Sequence, residues 1–169
     1  MKTKTLNLYS LNYKNVKTYY LATLFVVGNI LLPQLFHLVP QGGVTWLPVY
    51  FFTLIAAYKY GWKVGLLTAI LSPVLNLVLF GMPSPAVLPA ILIKSSLLAL
   101  SASLAANRFN RISIPILIGI VLAYQITGTL IEWPISGSLY TAFQDFRIAI
   151  PGMLLQVFGG YAIMKYVPN

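Results

Sequence analysis

The chain contains no cysteine, and its 169 residues include only two acidic side chains and one histidine. Without cysteine there is neither a disulfide nor a thiolate metal site. Glu132, Asp145 and His37 are too few for a metal cluster or for two-carboxylate acid–base chemistry, and they would make a thin proton relay. No HExxH, Walker motif or glycine-rich phosphate loop occurs. The expectation is therefore a protein that is not an enzyme, carries no cofactor and hydrolyses no ATP itself. Charge of either sign is scarce. Charged residues make up 8% of the chain, against about 25% in a soluble domain.

What is present is apolar. Hydrophobic residues account for 59% of the chain, in continuous rather than alternating runs. That pattern excludes a β-barrel and predicts an all-α integral membrane protein, a single domain over residues 1–169. The formal net charge of +9 does not point to nucleic acid. The basic residues stand singly or in pairs at the ends of apolar runs, not in a patch with interleaved aromatics.

Six runs can serve as transmembrane helices: Lys17 to Pro40, Val44 to Tyr60, Trp62 to Phe80, Ser84 to Asn107, Ile112 to Pro134 and Phe143 to Val167. Short connections make them antiparallel neighbours. Residues 1–16 are basic and polar and lack the apolar core of a signal peptide. They are expected to form a cytoplasmic or interfacial segment. If six helices alternate, Lys2, Lys4, Lys14, Lys17, Lys59, Lys63, Arg108, Arg111 and Lys165 fall on one side. The positive-inside rule makes that side, with both termini, cytoplasmic.

Pro33, Pro48, Pro73, Pro89 and Pro151 lie towards the outer half of the expected spans. Each removes a helix hydrogen bond, and such breaks survive where neighbours or a cavity satisfy the freed carbonyl. The skew suggests irregular backbone around an outward hollow. Small residues at spacing four (Gly61 and Gly65; Ser95, Ala99 and Ser103; Gly119 and Ala123) are expected to serve internal helix packing.

Polar residues inside the runs collect at that same outer depth: Gln34, His37, Trp46, Asn76, Gln125, Glu132 and Arg147 are candidate substrate contacts. A polar group in hydrocarbon is costly unless paired or wetted. His37 equally suits a solvated helix end, Trp46 an interfacial belt, and Glu132 with Arg147 a loop ion pair. Lys94 is the sharpest case. Counted from Ser84 it lies about 15 Å down its helix, near the bilayer midplane. Its two readings are a cation facing an anionic ligand or an internal salt bridge to Glu132 or Asp145. Aromatic residues at the outer ends, Phe36, Trp46, Tyr50, Phe80, Trp133 and Tyr140, could stack on a flat heterocycle bearing an anionic group.

The stretch LPVYFFTLIAAYKYGWKVGLLTAILSPVLNLVLFGMPSPAVLPAILIKSSLLAL, Leu47 to Leu100, resembles a group of bacterial substrate-binding S components of energy-coupling factor (ECF) vitamin transporters. The resemblance extends over most of the chain through its size and six short helices. It implies a multi-pass protein of the bacterial cell membrane that captures a vitamin from outside and reorients against a transmembrane coupling subunit driven by two cytoplasmic ATPases. In that family an Ala-xxx-Ala pattern on the first helix touches the coupling subunit. Here YYLATLFVVGN holds Ala22 and Gly28 with no small pair four apart, so Gly61, Gly65 and Ala69 join Ala22 as docking candidates. The alternative is a non-transport scaffold of the MreD cell-shape type, which needs neither the polar cluster nor Lys94.

Overall fold

A computed structural model describes residues 11–36, 38, 40 and 42–166. Among these the secondary structure is helical: α1 (Val16–Phe36), α2 (Gly42–Trp46), α3 (Pro48–Tyr60), α4 (Trp62–Phe80), α5 (Leu88–Phe109), α6 (Ile114–Ser136), α7 (Leu139–Ile148) and α8 (Ile150–Tyr166). Local signals set many of these bounds. Gly81, Asn110 and Gly137 stop α4, α5 and α6 in the left-handed conformation. Proline opens α3, α5 and α6, where its missing N–H costs nothing.

The third expected span coincides with α4, but the second does not form one rod. Leu47 takes a left-handed conformation (φ 47°) before Pro48, which disfavours helix at the preceding residue. The chain turns there, separating the five-residue α2 from the 13-residue α3. The backbone of α2 lies directly on α8. A Cβ on Gly152 would stand 2.5 Å from the carbonyl carbon of Trp46, so only glycine permits the approach.

α3 is the axis of the bundle, packed against α1, α4, α5 and α8. All of its residues except Val49, Phe52 and Tyr60 are buried. A helix apolar on every side belongs inside, whereas the outer helices keep a bare apolar face. On α1 that face carries Tyr20, Leu24, Val27, Leu31 and Leu35, all exposed. Among the described residues, four helices are long and apolar enough to cross a membrane: α1, α4, α5 and α6. The α7–α8 pair, bent by 48°, makes a fifth if it counts as one span. At about 20 Å, α3 falls short of the roughly 30 Å hydrocarbon core.

Basic residues mark one end of the bundle. The Tyr58 hydroxyl donates to the Arg111 carbonyl at 2.6 Å, tying the end of α3 to the α5–α6 loop. Lys63 donates to Asn12 at 2.6 Å. α8 runs parallel to α3, with Gly152 against Trp46 and Gly160 against Leu54, which brings Lys165 to the same end. The opposite end holds α2, the α4–α5 connection and the start of α7.

Two of the expected proline breaks are repaired across helix boundaries. Pro33 leaves the Asn29 carbonyl without its helical donor, and the Asn76 amide nitrogen of α4 donates to it at 3.0 Å. Pro73 does the same to the Ala69 carbonyl, and the Ser95 hydroxyl of α5 donates to it at 2.9 Å. Asn29 adds a further node, donating to Thr53 at 3.0 Å and Ser72 at 3.2 Å and accepting from the Phe52 N–H at 3.1 Å. Polar side chains thus lock α1, α3, α4 and α5 together within an apolar bundle.

Candidate functional site

At the end of the bundle away from the basic residues lies a cavity of about 510 Å³. Pro33 of α1 and the Leu47–Tyr50 corner form one side, and the Met82–Ser84 loop another. Asn76, Lys94, Gln125 and Glu132 also line it. Three successive helices, α4, α5 and α6, therefore bring half of the expected substrate residues to one cavity.

Lys94 donates to Glu132 in a short, partly buried ion pair. The internal salt bridge is thus formed, and its partner is Glu132; Glu132 is not paired with Arg147, which is exposed on α7. Local sequence makes the pair possible. Gly128 stands one turn before Glu132 on α6, and the Lys94 stem lies across it; a Cβ there would be 2.5 Å from Lys94 Cγ. The depth differs from the expectation. Residues 84–87 form a turn closed by Val87 and Leu88 N–H groups on the Ser84 carbonyl. The helix begins at Leu88, so Lys94 is only about 9 Å along it. The pair sits in the cavity half of the bundle, not at its middle, which lowers the cost of its charge.

Asn76 and Gln125 give the cavity fixed polarity. Asn76 spends Nδ2 on the Asn29 carbonyl at 3.0 Å and the Ser72 carbonyl at 3.1 Å. That fixes its orientation and leaves the buried Oδ1 without a partner among the described residues. Gln125, 1% exposed, leaves Oε1 unpartnered in the same way. Buried acceptors left open cost about 1–3 kcal/mol each, and a water or a ligand N–H entering the cavity would satisfy them. Tyr50 supplies a buried ring to the wall, packed on Tyr124 at 5.7 Å between centroids. The site as a whole offers a neutralised charge pair, two open acceptors and an apolar wall.

The other expected residues lie elsewhere. Trp46 stacks on Phe36 at 5.5 Å rather than facing the cavity. Gln34 is half-buried outside the lining, and His37 lies outside the described residues. Phe80, Trp133 and Tyr140 are exposed. Of the docking candidates, Ala22, Gly65 and Ala69 are buried, and Gly65 abuts Ala57 so closely that a Cβ would clash. Their small size serves internal packing, which leaves Gly61 alone partly accessible. Asn29 escaped the sequence reading, although its place four residues before Pro33 marked a carbonyl in need of a donor. No protein-family model, no curated protein and no solved structure matches the chain, so its site rests on its own geometry.

Proposed function

We propose that this chain is a substrate-binding membrane subunit of the ECF S-component type, capturing a vitamin or related micronutrient. The observation that carries the reading is the cavity of about 510 Å³ with Asn76, Lys94, Gln125 and Glu132 in its wall. Its size falls within the usual range for small-molecule sites, roughly 300–1,000 Å³, and its mix of apolar wall and few polar groups is typical of them. In this reading α2–α3 and α7–α8 are two broken passes, giving six in all. The basic end and both termini face the cytoplasm, the cavity opens outward, and the membrane is that of a bacterial cell. The absence of any ATP-binding motif means that transport energy comes from partners, a coupling subunit and two ATPases. A scaffold of the cell-shape type would gain nothing from buried acceptors left open beside a cavity.

The ion pair refines the ligand. Lys94 is already neutralised by Glu132, so an anionic group on the ligand would compete with a built-in carboxylate. A ring that donates N–H groups to Asn76 and Gln125 fits the lining without that competition.

The test is a thermal-unfolding screen of the detergent-solubilised protein against a panel of vitamins. A ligand at 100 times its Kd is expected to stabilise the chain by about 2.7 kcal/mol, a shift of several degrees. Folded protein that no vitamin stabilises would overturn the reading.

A further inference from the structure

A second concavity lies at the other end of the molecule. It is a groove of about 430 Å³ between α5 and α6, lined by Ser101, Ala105 and Phe109 on one side and Ile116, Gly119 and Ala123 on the other. Gly119 and Ala123 were expected to pack internally, but both are exposed, and a Cβ on Gly119 would meet nothing within 4 Å. The stripe Ser95, Ala99 and Ser103, by contrast, is largely buried. The small residues of α6 therefore open a trough rather than close a contact.

The trough has a direction. From Phe109 to Ser101, and from Pro115 to Ala123, it runs about 12 Å along the helices. Its lining ends at Phe109 and Pro115; next to these in sequence, Arg108 in the last turn of α5 and Arg111 in the α5–α6 loop are both exposed. Neither guanidinium has an acidic partner among the described residues, and the two acids of the whole chain, Glu132 and Asp145, lie in the segments beyond α6's midpoint. An apolar trough between two membrane-crossing helices, with two exposed arginines next in sequence to its end and no acidic partner for either among the described residues, suits one chemistry: part of an acyl chain carrying an anionic phosphate headgroup. Basic pockets between membrane helices take such headgroups, and arginine binds phosphate through a planar fork.

We propose that the α5–α6 groove is a binding site for an anionic glycerophospholipid, with one acyl chain over Gly119 and Ala123 and the phosphate on Arg108 and Arg111. This site is independent of the cavity at Lys94 and does not rest on the transport reading.

Native mass spectrometry of the full chain, delipidated and then titrated with phosphatidylglycerol or phosphatidylcholine, tests it. One phosphatidylglycerol is expected to be retained with a preference of roughly 30-fold over phosphatidylcholine, because two arginines meet a headgroup of net negative charge in the first and one whose phosphate is offset by choline in the second. Arg108→Gln with Arg111→Gln should abolish the preference, and these exposed positions leave the fold undisturbed. Gly119→Leu, which fills the trough, should reduce retention of both lipids. Should Gly119→Leu fail to fold, Ala123→Leu replaces it. Equal retention of the two lipids by the wild type would overturn the proposal. So would undiminished retention in the filled groove, or a second copy of the chain bound there in place of lipid.

Discussion

The buried polar groups fall into two populations that differ in how completely they are used. On α1, α3, α4 and α5 they are spent on holding helices together. Asn29 uses both atoms of its amide, and Ser95 donates to the carbonyl that Pro73 frees. Thr68 and Ser72 are satisfied within α4 by the carbonyls four residues back, at 2.9 and 2.6 Å, and Ser72 also accepts from Asn29 across helices. On α6 and α8 the same residue types are left incomplete. Gln125 Oε1, Thr129 Oγ1 and Gln156 Nε2 have no partner among the described residues, although Gln156 Oε1 accepts from Tyr124 at 3.1 Å. The first population is a frame. The second retains polarity that the fold does not need, and Gln125 presents it to the cavity. Asn76 belongs to both, since its nitrogen serves the frame and its oxygen is open.

The ion pair joins the two sides, so breaking it should have the largest effect. Lys94→Met leaves Glu132 without its cation, and removing one member of a buried pair costs about 3–5 kcal/mol. The value here should lie at the lower bound, since the cavity lets water reach the carboxylate. Glu132→Gln on the Lys94→Met background removes the stranded charge, and chemical denaturation in micelles should show most of the stability restored. Equal losses in the single and double variants would mean that Lys94 matters through its stem on Gly128 and not through its charge. Next comes the frame. Asn29→Leu removes three interhelical bonds, each worth about 0.6 kcal/mol on average in membrane proteins, for a loss of about 2 kcal/mol. A loss no larger than that of Gln125→Leu would erase the distinction between the two populations.

Much of the helix layout was legible in the sequence, and the reasons are local. Glycine on both sides of an apolar run of the right length placed α4 to the residue. The grouping of Asn76, Gln125 and Glu132 followed from depth alone, because antiparallel helices align residues at equal distance from their ends, whereas Lys94 was expected deeper and joins them because α5 starts late. Depth does not give azimuth. Trp46, Gln34 and Arg147 sit at the same end yet do not line the cavity, since a helix presents a new direction every 100° or so. Gly119 was misread for the same reason: spacing four identifies a face without saying what that face meets. The break at Leu47 and the late start of α5 were harder still. Both depend on how far a proline or a turn at a helix entrance trims an apolar run that hydropathy treats as continuous.

The proline repairs give a finer test of the frame. Ser95→Ala leaves the Ala69 carbonyl bare and should cost about 1 kcal/mol. Pro73→Ala returns a backbone N–H to that carbonyl, so Ser95→Ala should cost measurably less on this background. A double-mutant cycle by thermal unfolding reads the difference. Additive losses would show that the hydroxyl acts by packing and not as the substitute donor.

The smallest effect on stability is expected at Gln125, and it separates the two populations most cleanly. Its Oε1 is buried without a partner among the described residues, so Gln125→Leu removes an unmet acceptor while keeping most of the volume. Replacing an unsatisfied polar group with an apolar one of similar shape is close to neutral or slightly stabilising. The melting temperature without ligand should therefore stay level or rise. In the transport reading, the stabilisation given by whichever vitamin the wild type binds should fall by about tenfold in apparent affinity, as for one lost hydrogen bond to the ligand. If Gln125→Leu instead lowers stability as Asn29→Leu does, Gln125 belongs to the frame, and the cavity's polar wall narrows to Asn76 and the ion pair.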